Sequence, residues 1–248
     1  MMGTVAQNRY SVNFAELKVK IFADGADKQG ILGLYRNPLI RGFTTNPTLM
    51  KQVGITDYQA FARDILAEIP DRPFSLEVFS DEFPEMGRQA RKLSALAPNV
   101  YVKIPITNTR RESSATLVRE LTSEGIKLNV TAMMTVDQVR STAEALQGTP
   151  SAYISVFAGR VADAGVDPLP IMREALAVMR PQPQLELIWA SPREIFNLVQ
   201  ANDIGCHIIT ITHDLLKKLP NLGKDLTEFS LDTVKMFHRD AQAAGYKL

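Results

Sequence analysis

Short apolar runs rich in β-branched residues alternate along the chain with longer stretches in which apolar residues return every three or four positions. The short runs are VKIFA (19–23), IRGFTT (40–45), FSLEVF (74–79), VYVKIPI (100–106), KLNVTAM (127–133), AYISVFA (152–158), LELIWA (185–190) and HIITIT (207–212). Length and composition predict buried strands. Between them, Tyr58, Phe61, Ile65 and Leu66 share one helical face, as do Leu117, Val118 and Leu121. Helical spacing also covers 86–96, 136–146, 171–179, 195–199 and 229–243. Connections this long cannot be hairpins; they predict right-handed crossovers between parallel strands. Eight strand-and-helix units predict an α/β chain forming a single (β/α)8 TIM barrel. The competing arrangement is an open doubly wound sheet with one strand miscounted. It lacks support, because no G-x-G-x-x-G follows the first strand and no G-x-x-x-x-G-K-[ST] is present. No Pro/Gly/Ser-rich linker or internal repeat divides the chain. The expected organisation is a short N-terminal extension over 1–18 and a barrel domain over 19–248. Its last segment, 225–248, reads as an amphipathic helix ending at Gly245.

Composition narrows the function. The 248 residues fit one α/β barrel or two small domains, and the alternation favours the barrel. Lys and Arg number 28 against 27 Asp and Glu, a net charge of +1, which argues against a nucleic-acid partner. A lone cysteine, Cys206, excludes an intramolecular disulfide and a Cys-based zinc cage, fits a reducing cytoplasm, and reads as a small core residue. No continuous apolar stretch reads as a signal peptide or membrane span, and the Met-Gly start does not continue into an acylation pattern, so a soluble, cytoplasmic protein is expected. His207, His213 and His238 are too scattered for a metal site, and no cofactor is expected. Trp189 is expected to pack between barrel and helices.

In such a barrel the chemistry lies where the strands end, so polar residues in the C-terminal halves of apolar strands are the informative ones. They are Asp24; Thr44, Thr45 and Asn46; Glu77; Lys103; Asn129 and Thr131; Ser155 and Arg160; Ser191 and Arg193. Lys103, between Val102 and Ile104, is the most telling. Burial favours the neutral amine, the form that attacks a ketone to make a Schiff base. A snorkelling rim lysine, or an ion pair with Glu77 or Asp24, accounts for the same pattern. Asp24 and Glu77 are candidate acid/bases, against the alternatives of a helix-capping aspartate and a buried ion-pair partner. Arg160 and Arg193 follow late strands, where guanidinium forks beside hydroxyls clamp phosphate; singly, each reads as a surface charge.

These residues resemble a known family. IRGFTTNPTLM is similar to the TTNP signature of transaldolases, and VYVKIPIT to their Schiff-base lysine motif, with matching order and spacing from about 19 to 240. The resemblance implies a metal-free class I aldolase-type barrel. Such an enzyme moves a dihydroxyacetone unit from a ketose phosphate to an aldose phosphate in the pentose phosphate pathway. It implies that Lys103 forms the iminium and Asp24 is the acid/base at the hydroxyl where the bond breaks. Glu77 and Thr131 then hold the catalytic water. Asn46, Asn129 and Ser155 contact the dihydroxyacetone carbons and hydroxyls, with Thr45 beside them in the signature, and Arg160, Ser191 and Arg193 bind phosphate. In this family the last helix can cover a neighbour's active site, which leaves room for a homo-oligomer. Three departures stand out: Asp24-Gly25-Ala26 where the family has Thr or Ser after the aspartate, and Pro192 and Glu194 flanking Arg193. The fructose-6-phosphate aldolase branch carries Gln and Tyr where Glu77 and Phe157 stand, so the transferase is the first expectation and the aldolase the alternative. A non-catalytic sugar-phosphate-binding barrel is a further alternative.

Overall fold

The computed structural model describes residues 16–247; residues 1–15, most of the expected N-terminal extension, and Leu248 lie outside the described residues. The eight strands are β1 (Lys20–Asp24), β2 (Ile40–Thr44), β3 (Phe74–Glu77), β4 (Val100–Pro105), β5 (Leu128–Met133), β6 (Ala152–Val156), β7 (Leu185–Trp189) and β8 (Ile208–Thr212). Each pairs in parallel with its sequence neighbour and β8 returns to β1, so the barrel is closed. The predicted strands are all present, several running one or two residues too far. Phe157, read as strand, is the residue that starts a helix after β6.

Seven helices fall where the spacing predicts them: α3 (Tyr58–Glu68), α4 (Phe83–Ser94), α5 (Ala115–Ser123), α6 (Val136–Ala145), α8 (Pro168–Met179), α9 (Phe196–Asp203) and α11 (Leu226–Ala244). Four helices go beyond the predicted spacing: the eight-residue α1 (Lys28–Tyr35), and α2 (Pro47–Gln52), α7 (Ala158–Asp163) and α10 (His213–Leu216), which carry too few turns to reveal a period. Asp225 caps α11 by accepting from Thr227 N and Glu228 N at 2.9 and 3.0 Å, and Gly245 ends it in the left-handed conformation. α11 buries none of its residues; Leu226, Phe229, Val234 and Phe237 are all exposed along one face. No helix among the described residues is long and apolar enough to cross a membrane.

Alternation along the strands sorts side chains into two cores. Outward positions such as Ile21, Phe43, Leu76, Val102, Val130 and Trp189 pack against the helices, with Cys206 among them. Inward positions build layers. The lower layer is apolar: Phe22, Tyr101, Tyr153, Ile188 and Ile208, with Tyr101 and Tyr153 stacked at 4.0 Å and Phe22 edge-on to Tyr153 at 5.7 Å. Two residues further along their strands stand Asp24, Lys103, Ser155 and Thr210, all at the cavity, with Ala190 of the apolar cluster just past the end of β7. One period of the strand thus separates a sealed floor from the polar layer above it.

Gly42 shows how tightly this floor is filled. Between Ile21 and Phe22 the partner on β2 jumps from Ile40 to Gly42, a bulge that leaves Arg41 exposed. A Cβ on Gly42 would stand 2.6 Å from the Phe22 ring. Gly42→Ala is therefore expected to cost about 1–3 kcal/mol, the usual range for overpacking. Phe22→Leu in the same chain is expected to recover part of the loss; urea midpoints of the single and double variants check both.

Candidate active site

The polar layer opens upward into a cavity of about 430 Å³ at the C-terminal ends of the strands. Lys103, at 6% exposure, is buried at its base, held by Glu77 Oε2 at 2.8 Å and by the Thr45 carbonyl oxygen at 2.9 Å. The register sets this pair: Glu77 lies directly opposite Lys103 on the adjoining strand, both facing inward. A buried ammonium needs such partners.

Asp24 faces the same cavity from β1. Its Oδ1 accepts from the Thr44 hydroxyl at 2.6 Å, and the Thr44 oxygen in turn lies 2.5 Å from that of Thr210. Because Thr44 gives its proton to Asp24, Thr210 is the donor to Thr44. Burial raises the Asp24 carboxyl above the ordinary aspartate range, against the opposing pull of Lys103 and the Thr44 hydroxyl.

Asn129 is oriented by its neighbours. Its Nδ2 donates to Ser75 Oγ at 3.0 Å and its Oδ1 accepts from Ser155 Oγ at 2.7 Å. One amide hydrogen is left to serve a ligand. Thr131 ends the same inward row, and its Oγ1 is buried with no hydrogen-bond partner among the described residues. Pairing of β5 with β6 breaks between Val130 and Met133, and Ala132 adopts φ +64° there. Such bulges and left-handed non-glycine residues gather at functional sites. Asn46 caps α2, accepting from Leu49 N at 3.0 Å, which leaves its amide NH2 as a donor at the cavity wall.

Thr45 is the exception among the expected site residues. Its side chain is fully buried away from the cavity, and only its carbonyl reaches the site, through Lys103. Thr44 and Thr210 line the wall instead. Thr210, a polar residue within the apolar run HIITIT, obeys the same strand-end rule.

The two arginines stand at the rim. Arg160 lies over the Phe157 ring at 5.7 Å, while Arg193 Nε donates to both oxygens of Asp163, at 2.9 and 3.0 Å, and its Nη2 also contacts Asp163. The carboxylate on Arg193 is thus Asp163 of α7; Glu194 does not line the cavity. Ser191, also at the wall, is held at φ +59°, and a Cβ on Gly159 would stand 1.6 Å from the Ser191 carbonyl oxygen. Only glycine lets the β7–α9 turn close on the start of α7, which brings Ser191 and Arg193 beside Arg160.

The Asp-Gly-Ala departure has a steric cause. A Cβ on Gly25 would lie 2.4 Å from Nε2 of His213, the first residue of α10, and one on Gly30 would lie 2.7 Å from its Nδ1. The imidazole fills the space that a Thr or Ser side chain would need. Burial lowers the His213 pKa, so the ring is favoured as neutral.

A hollow of about 470 Å³ opens at the opposite end of the barrel. Three of its charged lining residues have neighbours outside it: Lys20 pairs with Glu186 at 2.5 Å, Asp71 accepts from the Tyr35 hydroxyl at 2.6 Å, and Arg72 covers the Tyr35 ring at 4.5 Å.

Residues 21–248 match the family described as Transaldolase/Fructose-6-phosphate aldolase. The chain belongs to this family. A probable transaldolase 2 of Listeria monocytogenes is 38% identical over 202 residues, covering 81% of this chain and 88% of the relative. A probable transaldolase of Thermoanaerobacter sp. is 32% identical over 231 residues, 93% of this chain and the whole relative. Among solved structures, a 2,3-dimethylmalate lyase superposes with a TM-score of 0.51 at 13% identity, over 94% of this chain and 86% of that one, a likeness of fold alone.

Asp24 gives a pH-dependent test. Well below the ordinary value of 3.8 its carboxyl is protonated in both folded and unfolded chains, and folding is unaffected. As pH rises, the unfolded chain releases this proton first, so the folded state loses relative stability until pH passes the raised folded value. Asp24→Asn lacks this penalty. Its urea midpoint is expected to gain on the wild type as pH climbs from about 4 toward neutrality; parallel midpoint curves would refute the raised value.

Proposed function

We propose that this chain is a transaldolase that carries a dihydroxyacetone unit on Lys103, taking sugar phosphates as donor and acceptor. The observation that carries the reading is the buried Lys103–Glu77 pair at 2.8 Å, in a cavity that also presents Asp24. Glu77 takes a proton from the Lys103 ammonium, the freed amine adds to the ketose carbonyl, and that proton leaves with the departing water, giving an iminium. Asp24 takes the proton of the hydroxyl two carbons from the iminium carbon; that hydroxyl carbon becomes an aldehyde, and the electron pair of the broken carbon–carbon bond flows into the iminium. The aldose phosphate departs, and an enamine remains on Lys103. Its attack on the acceptor aldehyde, with Asp24 returning the proton, forms the new bond, and water then frees the product. A carboxyl whose burial favours the protonated form suits that exchange.

Glu77 and the unpartnered Thr131 hydroxyl are the groups to hold the water, on either side of the amine. Asn129, Asn46 and Ser155 offer donors to the hydroxyls of the bound unit. Arg160, Ser191 and Arg193 form the phosphate end, with Asp163 presetting the Arg193 guanidinium in the unliganded site. The cavity's volume accommodates a sugar phosphate of this class.

Transfer from fructose 6-phosphate to erythrose 4-phosphate, measured beside release of free dihydroxyacetone, tests the reading. Transfer is expected to dominate; faster release of the free ketone would assign the chain to the aldolases instead. Arg160→Ala is expected to raise KM for the phosphorylated donor by about ten- to a hundredfold, the worth of a charge-assisted hydrogen bond, with a smaller effect on kcat.

A further inference from the structure

Tyr58 opens α3, outside the wall of the cavity, yet its hydroxyl holds both polar backbone groups of Glu77. It donates to the Glu77 carbonyl at 2.9 Å and accepts from the Glu77 N–H at 2.8 Å. In a parallel strand the N–H and C=O of one residue face the same neighbour. The even residues of β3 face β4: Phe74 N bonds Asn99 O and Val78 N bonds Lys103 O, at 3.0 and 3.1 Å. Ser75 faces β2, its carbonyl accepting from Thr45 N at 3.2 Å. Glu77 is the next residue on that side, and there β2 has ended, turning at Asn46 into α2. One side-chain hydroxyl replaces the missing strand.

Further support comes from the surroundings. The Tyr58 ring packs on Phe79 at 5.6 Å, and Gln89 Oε1 accepts from Phe79 N and Ser80 N at 2.9 and 3.2 Å, so the chain leaving Glu77 is pinned as well. Burial pushes the Tyr58 phenol above its ordinary range, which keeps it a neutral donor and acceptor.

We propose that Tyr58 is a positioning residue for the reaction: its hydroxyl fixes the Glu77 backbone, and thereby the carboxylate against the Lys103 amine. The role in turnover rests on the transaldolase reading; the hold on Lys103 does not. Without the hydroxyl, the carboxylate swings and the ammonium loses its fixed partner. Turnover then falls, while the amine reacts more readily with an external aldehyde. A residue that only supported the fold would still change both rates once Glu77 is replaced by Gln.

The test compares wild type, Tyr58→Phe, Glu77→Gln, the Tyr58→Phe/Glu77→Gln double variant and Phe79→Ala. Two rates are followed: transfer between fructose 6-phosphate and erythrose 4-phosphate, and reductive methylation of Lys103 by formaldehyde and cyanoborohydride, mapped by mass spectrometry. Tyr58→Phe is expected to melt cooperatively, to lose about ten- to a hundredfold in kcat with little change in KM, and to methylate several-fold faster at Lys103. In the Glu77→Gln background the same change is expected to alter neither rate further. Phe79→Ala, which disturbs the ring packing and spares the hydroxyl, is expected to leave both rates near wild type. Equal losses in Tyr58→Phe and Phe79→Ala, slower methylation, an effect that persists in Glu77→Gln, or an unfolded Tyr58→Phe would each overturn the proposal. If the wild type shows no transfer but methylation responds as described, the hold of Tyr58 stands and the transaldolase reading falls.

Discussion

A lysine ammonium placed inside a closed barrel must be compensated where it stands, and the rest of the site follows from that requirement. Lys103 points inward between Val102 and Ile104, which are both fully buried. Its compensation comes from Glu77, directly across on β3, and from the Thr45 carbonyl just past the end of β2. Neither partner could reach it from another register, because a slip of one residue would turn Glu77 to the helix side. The aromatic floor below keeps the amine at the level where the cavity begins. Its charge is therefore held by protein on one side and exposed to a ligand on the other.

The remaining polar groups are arranged with less than full satisfaction. Asp24 sits where burial disfavours its charge, and among the described residues the Thr131 hydroxyl has no hydrogen-bond partner and Asn129 retains one unused hydrogen. Each costs the empty protein some stability. Each also leaves a capacity that a bound sugar, with its carbonyl and row of hydroxyls, matches in number and kind. The left-handed Ala132 and Ser191 belong to the same pattern, since strain at strand ends re-aims side chains toward the cavity.

Much of this was legible in the sequence. Short apolar runs rich in β-branched residues marked all eight strands, the polar residues at their C-terminal ends marked Asp24, Glu77, Lys103, Asn129 and Ser155, and helical spacing marked the long helices. What stayed hidden depends on contacts between distant segments. The Asp163–Arg193 pair joins α7 to the turn after β7, His213 fills the space above Gly25, and Tyr58 reaches Glu77 from a helix whose apolar face made it look like core. Thr45 shows the limit of motif reading in the other direction: it stands in the signature stretch, yet offers the site a carbonyl and no side chain. The near-neutral charge of the chain also fits this picture. Anion binding in the proposed reaction falls to a few placed groups and needs no basic surface.

The central claim is that Lys103 carries the substrate covalently. Incubation of the wild-type protein with fructose 6-phosphate and borohydride, followed by peptide mass spectrometry, measures it directly. The account predicts a reduced dihydroxyacetone adduct on the peptide containing Lys103 and on no other lysine; an unmodified Lys103, in a protein that nonetheless turns over the sugar, would contradict it.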